Sequence, residues 1–113
     1  MPAGSVLPTV GQSIWPFLVA DVLLAPFVEE SIYRGWAVPR LLPRFGVIPT
    51  AVIVCCAFGA LHWAGGFWYM VLVGFVAGGL FVALRLVRGN LAAPFAAHLA
   101  LNVVEYLFVW LAR

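Results

Sequence analysis

Four side chains whose types would suit the hydrolysis of an amide sit in three separate apolar stretches: Glu29, His62, His98 and Asn102. A buried glutamate beside a histidine can bind a water and take its proton as general base. A histidine and an asparagine one helical turn apart can both donate hydrogen bonds to the oxyanion that forms when that water attacks. Next to Glu29 stands Glu30, four residues ahead of Arg34. Acid first, base four later, is the favourable order for a helical ion pair. Glu30 is therefore expected to be structural and Glu29, turned about 100° away on the helix, to be free for chemistry. Phe58 and His62 share a face at the same spacing, as do His98 and Asn102, with Glu105 on that stripe.

A metal site competes for these residues. Glu29, His62 and His98 would make the two-histidine, one-carboxylate set of a catalytic zinc. The helical H-E-x-x-H arrangement is absent, and Asn102 is a poor zinc ligand. The reading is therefore that no cofactor is required, with zinc on those three residues as the alternative.

The elements that must hold these groups are membrane helices. Of 113 residues, 65% are hydrophobic and 9% charged, against about 45–50% and 25% in soluble domains. Mean hydropathy is +1.11. The expected class is all-α, a polytopic bundle of about four transmembrane helices at about 20 residues per span. The spans are drawn at 13–42, 47–64, 67–87 and 92–111. Breakers lie between them at Pro43, Gly46 and Pro49, then Gly65-Gly66, then Gly89-Asn90. Residues 1–12 form an N-terminal tail and 13–113 one core domain. The opening MPAGSVLPTVGQ lacks the positive stretch of a signal peptide, so the whole chain is expected to be mature.

All six basic residues are arginines and the net charge is +2, which gives no reason to expect nucleic acid as a partner. Arg34, Arg40 and Arg44 gather at the first connection, Arg85 and Arg88 at the third, while the second is uncharged and aromatic. The positive-inside rule then places both arginine-bearing ends in the cytoplasm and both termini outside. Arg113 is the dissenting charge. Cys55 and Cys56, adjacent on one helix, are read as packing residues that cannot bridge each other. Gly74 and Gly78 should let helix backbones approach. Pro26 should bend the first helix and free the carbonyl of Val22. Depth sets one condition. At 1.5 Å per residue, Glu29 and His62 lie roughly 20 Å from the cytoplasmic ends of their spans and His98 about 10 Å from Asn90. Either a fourth helix starting at Pro94, with NLAA dipping inward, or a strongly tilted first helix must align them. Asp21 is placed near the outer interface, and Glu105 behind the site as a partner.

Glu29-Glu30-Ser31-Ile32-Tyr33-Arg34 resembles the EExxxR motif of the CPBP intramembrane proteases, the family of type II CAAX prenyl endopeptidases, bacteriocin-processing proteins and the Abi group. Phe58 to His62 is similar to its FxxxH motif and His98 to Asn102 to its HxxxN motif. All three stand in family order over about residues 20–110. The resemblance implies that Glu29 and His62 position the nucleophilic water, that His98 and Asn102 form the oxyanion hole, and that Glu30, Arg34 and Phe58 support them. It implies an endopeptidase of glutamic type, long classed as a metalloprotease, in a multi-pass cell membrane. Substrates would be CAAX-type prenylated tails or leader peptides. The all-arginine basic set suits a GC-rich bacterial gene and hence a bacterial plasma membrane. Family members commonly carry further spans ahead of the first motif, so partner helices or a homo-oligomer are expected to complete the bundle. Two other classes suit the same residues: a non-enzymatic membrane immunity or scaffold protein of the family, and a small proton-conducting element.

Overall fold

The computed structural model describes residues 15–112. The 1–12 tail, the first two residues of the expected first span and Arg113 lie outside the described residues. Within them the chain is helical, with no strand. Helix α1 runs over 15–45, α2 over Val47–Ala60, α3 over Phe67–Arg88 and α4 over Ala92–Leu111. A 3₁₀ turn, Trp63–Gly65, joins α2 to α3.

Each break falls on a glycine with positive φ: Gly46 at 83°, Gly66 at 97° and Gly89 at 70°. That backbone is open to glycine at no steric cost. The prolines break nothing. Pro43 lies inside α1, and Pro49 sits in the first turn of α2, where no intrahelical bond is lost. Helix α1 thus continues three residues past its expected end. Helix α2 stops at Ala60 rather than 64, which leaves His62 in the turn beyond it. Helix α4 begins at Ala92, with Pro94 at its third position rather than its first. Asn90 Oδ1 accepts the N–H of Ala93 at 3.1 Å, which meets one of the open donors at that helix start.

Helix α1 alternates between two registers. The π-helical stretches Leu18–Leu24 and Ser31–Ala37 each precede an α-helical one, Ala25–Glu30 and Val38–Phe45. Pro26 and Pro39 are the second residues of those α-helical stretches. A proline ring clashes with the carbonyl four residues back, and widening the turn to i→i+5 relieves that clash. Val38 donating to the carbonyl of Tyr33 is a bond of that wider register. In it, the carbonyl facing the missing proline N–H lies five residues back. For Pro26 this is Asp21 and for Pro39 it is Arg34. Both carbonyls take side-chain donors instead. Asn102 Nδ2 donates to Asp21 O at 3.2 Å and Arg85 Nε to Arg34 O at 3.2 Å.

Helices α2 and α3 meet backbone to backbone. A Cβ on Gly59 would stand 2.8 Å from the carbonyl of Met70 and 3.1 Å from Gly74 Cα; one on Gly74 would stand 2.8 Å from the carbonyl of Cys55. The expected small-residue contact of Gly74 therefore has Gly59 as its partner. Gly78 instead makes room for a side chain: Arg34 Nη2 donates to its carbonyl at 3.1 Å. Val38, Val54, Cys55 and Val82 pack α1, α2 and α3 together, and Val22 with Tyr106 ties α1 to α4. Cys55 is a buried free thiol and Cys56 an exposed one.

Large apolar side chains are exposed on every helix, among them Phe27, Ile32, Val52, Leu72, Val76, Val104 and Phe108. Helix α3, 22 residues, is the one described helix long and apolar enough to cross a membrane; Val47–Ala60 and Ala92–Phe108 are apolar but shorter.

Candidate active site

Every candidate residue is brought to one place where α1, the end of α2, α3 and α4 meet. Arg34 lies at its base. The guanidinium is fully buried, with Nη1 donating to Glu30 Oε2 at 3.2 Å. Its flat face covers the ring of Phe58 at 4.4 Å and reaches Phe81 at 5.2 Å. A delocalised, weakly hydrated cation suits such burial between rings better than an ammonium would. The Glu30–Arg34 pair is the one expected from spacing.

Glu30 does more than pair with Arg34. Its Oε2 also accepts from His98 Nδ1 at 2.6 Å, while Oε1, though buried, has no partner among the described residues. The other ring nitrogen of His98, Nε2, stands 3.3 Å from Glu29 Oε2. The imidazole therefore bridges the two adjacent carboxylates. Glu29, expected to lack a partner nearby in sequence, finds one 69 residues away in the chain. With Nδ1 donating to Glu30, one proton lies along the Glu29–His98 contact. It sits on Nε2 when Glu29 is ionised, or on Glu29 when Nε2 is bare.

The end of α2 fixes the other histidine. The backbone N–H of His62 turns back to the carbonyl of Gly59 at 2.9 Å. This leaves the carbonyl of Phe58 open, and His62 Nδ1 meets it at 3.0 Å. A carbonyl only accepts, so Nδ1 carries the proton. In the neutral ring Nε2 is then a bare acceptor. The spacing of Phe58 and His62 works through this capping bond rather than through a continuous helix face.

Phe58 is the hub of the packing. Its ring makes edge contacts with His62 at 5.1 Å, His98 at 5.7 Å and Tyr33 at 5.5 Å. Phe81 stacks flat on His98, with centroids 4.6 Å apart and planes 15° from parallel. Sequence reasoning missed Phe81. Its one signal is the position three residues after Gly78, on the same face of α3.

Between these groups lies a cavity of about 20 Å³, room for about one water. Glu29, His62, His98, Asn102 and Glu105 line it, with Phe58, Phe81 and Tyr69 as aromatic walls. Tyr69, from the first turn of α3, stands 6.0 Å from the His62 ring. It too was not among the expected residues. Asp21 contributes its backbone carbonyl, to Asn102. Among the described residues no three His, Cys, Asp or Glu side chains are arranged to hold a metal ion.

Comparison with known proteins shows the family. The family model described as type II CAAX prenyl endopeptidase Rce1-like matches residues 11–104, a stretch that includes all three motifs. No curated protein and no solved structure matches the chain. The chain belongs to the Rce1-like family of type II CAAX prenyl endopeptidases, which are membrane-embedded proteases.

Proposed function

We propose that the chain is an intramembrane endopeptidase that activates water with Glu29 and His62 and holds the oxyanion with His98 and Asn102. The observation that carries this reading is the single-water cavity, lined by all four side chains. Ionised Glu29 takes a proton from the water, whose second hydrogen points to the bare Nε2 of His62. The water oxygen attacks the carbonyl carbon of the scissile bond. Neutralising Glu29 weakens its hold on Nε2–H of His98, which then donates to the new oxyanion without the ring turning, beside an N–H of Asn102. As the intermediate collapses, the C–N bond breaks and Glu29 returns its proton to the leaving amine. General base catalysis supplies about 10²–10⁴ and one oxyanion donor about 10²–10³.

The mechanism needs no metal. His98 has both ring nitrogens engaged by carboxylates, which supports a hydrogen-bond-donor role over a metal-ligand role for it. The substrate class is a CAAX-type prenylated tail or a membrane-anchored leader peptide. The four helices cross a bacterial plasma membrane, with both termini outside and the arginine-bearing connections in the cytoplasm. A second copy or partner helices flank the bundle.

The test is mass spectrometry of prenylated and unprenylated peptides exposed to the full chain in liposomes, with Glu29→Gln as the paired blank. Products made only by the native chain are expected. Identical product lists from the two proteins would overturn the protease reading in favour of a non-enzymatic role.

A further inference from the structure

Two of the prolines of α1, Pro26 and Pro39, create the same feature at different places. Each lacks the N–H that the π register would offer to the carbonyl five residues back. Arg85 fills the gap behind Pro39, on the carbonyl of Arg34. Asn102 fills the gap behind Pro26, on the carbonyl of Asp21. Of these two donors only Asn102 lines the cavity.

We propose that Pro26 is a positioning residue for Asn102: it keeps the Asp21 carbonyl clear of a backbone donor, and that carbonyl fixes which end of the Asn102 amide serves the cavity. A carbonyl can only accept, so it selects the nitrogen of the amide over the oxygen. With one hydrogen on Asp21 O, the amide plane is set and the second hydrogen remains as the oxyanion donor. A freely turning amide would present its oxygen part of the time, which repels a developing negative charge. The catalytic consequence rests on the protease reading above; the anchoring of Asn102 does not.

The sequence holds two asparagines, Asn90 and Asn102. The full chain labelled with ¹⁵N-asparagine in lipid nanodiscs therefore gives two side-chain amide pairs by NMR, with exposed Asn90 as the reference. Pro26→Ala supplies the missing N–H. It is expected to move the Asn102 pair towards the position of a free amide and leave the Asn90 pair in place. On a farnesylated peptide ending in a Cys-aliphatic-aliphatic-X tail, kcat should fall by about tenfold or more with KM within about twofold. That loss is short of the ~10²–10³ of deleting an oxyanion donor. Lactic acid at position 26 lacks both the ring and the N–H, and is expected to restore the native amide position and kcat. Pro39→Ala should leave the Asn102 pair unmoved. An Asn102 pair that does not move in Pro26→Ala, or a lactic-acid variant as impaired as Pro26→Ala, overturns the inference. Native-like cleavage by Glu29→Gln would instead remove the protease reading, and the amide resonances would still decide whether Pro26 holds Asn102.

Discussion

Glu29 and Glu30 are neighbours in the chain with different surroundings, and His98 is what couples them. Glu30 is locked between the Arg34 guanidinium and His98 Nδ1, so the ring of His98 is oriented by a group that itself cannot move. Phe81 closes the other side by stacking on that ring. An aromatic pair of this kind contributes about 0.5–1.5 kcal/mol beyond its buried area. Phe81→Leu should therefore let His98 tilt and lower kcat by up to about tenfold, with KM unchanged. Steady-state cleavage of the farnesylated peptide measures it; a rise in KM at constant kcat would assign Phe81 to substrate binding instead. The Glu30–Arg34 pair was legible in the sequence because both partners lie on one turn of one helix. The bridge from His98 to both carboxylates was not. It depends on how far α4 slides along α1, and spacing within either helix carries no information on that. The same limit hid Phe81 and Tyr69, which look like ordinary apolar residues of a membrane helix until their neighbours are known.

Helix existence was readable from apolar length, and the connections from glycines placed where φ must be positive, but the ends of α1 and α2 fell three residues after and four residues before their expected places. The register within α1 was not readable. Proline signals that a donor is missing, but whether the orphaned carbonyl lies four or five residues back depends on the turn width, which only the folded helix decides. The α2–α3 contact was half legible: Gly74 was marked by its spacing from Gly78, whereas its real partner is Gly59 on another helix. Here the close approach leads to a comparison of two alanine substitutions. Gly59→Ala puts a methyl against two backbone groups that cannot rotate away, and overpacking of this sort costs about 1–3 kcal/mol. Gly79→Ala, on α3 with open space around it, removes a poor helix former and should gain up to about 1 kcal/mol. Thermal unfolding in detergent should give a lower Tm for the first and an equal or higher one for the second. Equal Tm values for Gly59→Ala and the native chain would mean that α2 and α3 do not meet at these glycines.

At the scale of the whole molecule, the described residues form a slab with extents of 51, 28 and 17 Å. Arg85 reaches the carbonyl of Arg34, and Val38 and Val82 belong to one core cluster against which Leu86 packs. These contacts set the late part of α1 beside the end of α3. The α1–α2 and α3–α4 connections thus belong to one end of the bundle, and the exposed Trp63, Phe67 and Trp68 belong to the α2–α3 connection. Tryptophan and other aromatics favour the membrane–water interface, and arginines favour the cytoplasmic side. In a background with Cys55 and Cys56 changed to serine, cysteines introduced one at a time by Arg44→Cys, Arg88→Cys and Trp68→Cys report which side each connection occupies. A membrane-impermeant maleimide added to sealed inverted vesicles should label the first two and spare the third, and right-side-out vesicles should reverse the pattern. Labelling of the Arg44 and Arg88 positions from opposite sides would break the four-crossing arrangement, because the Arg34–Arg85 contact and the core cluster shared by Val38 and Val82 hold those connections to a common end.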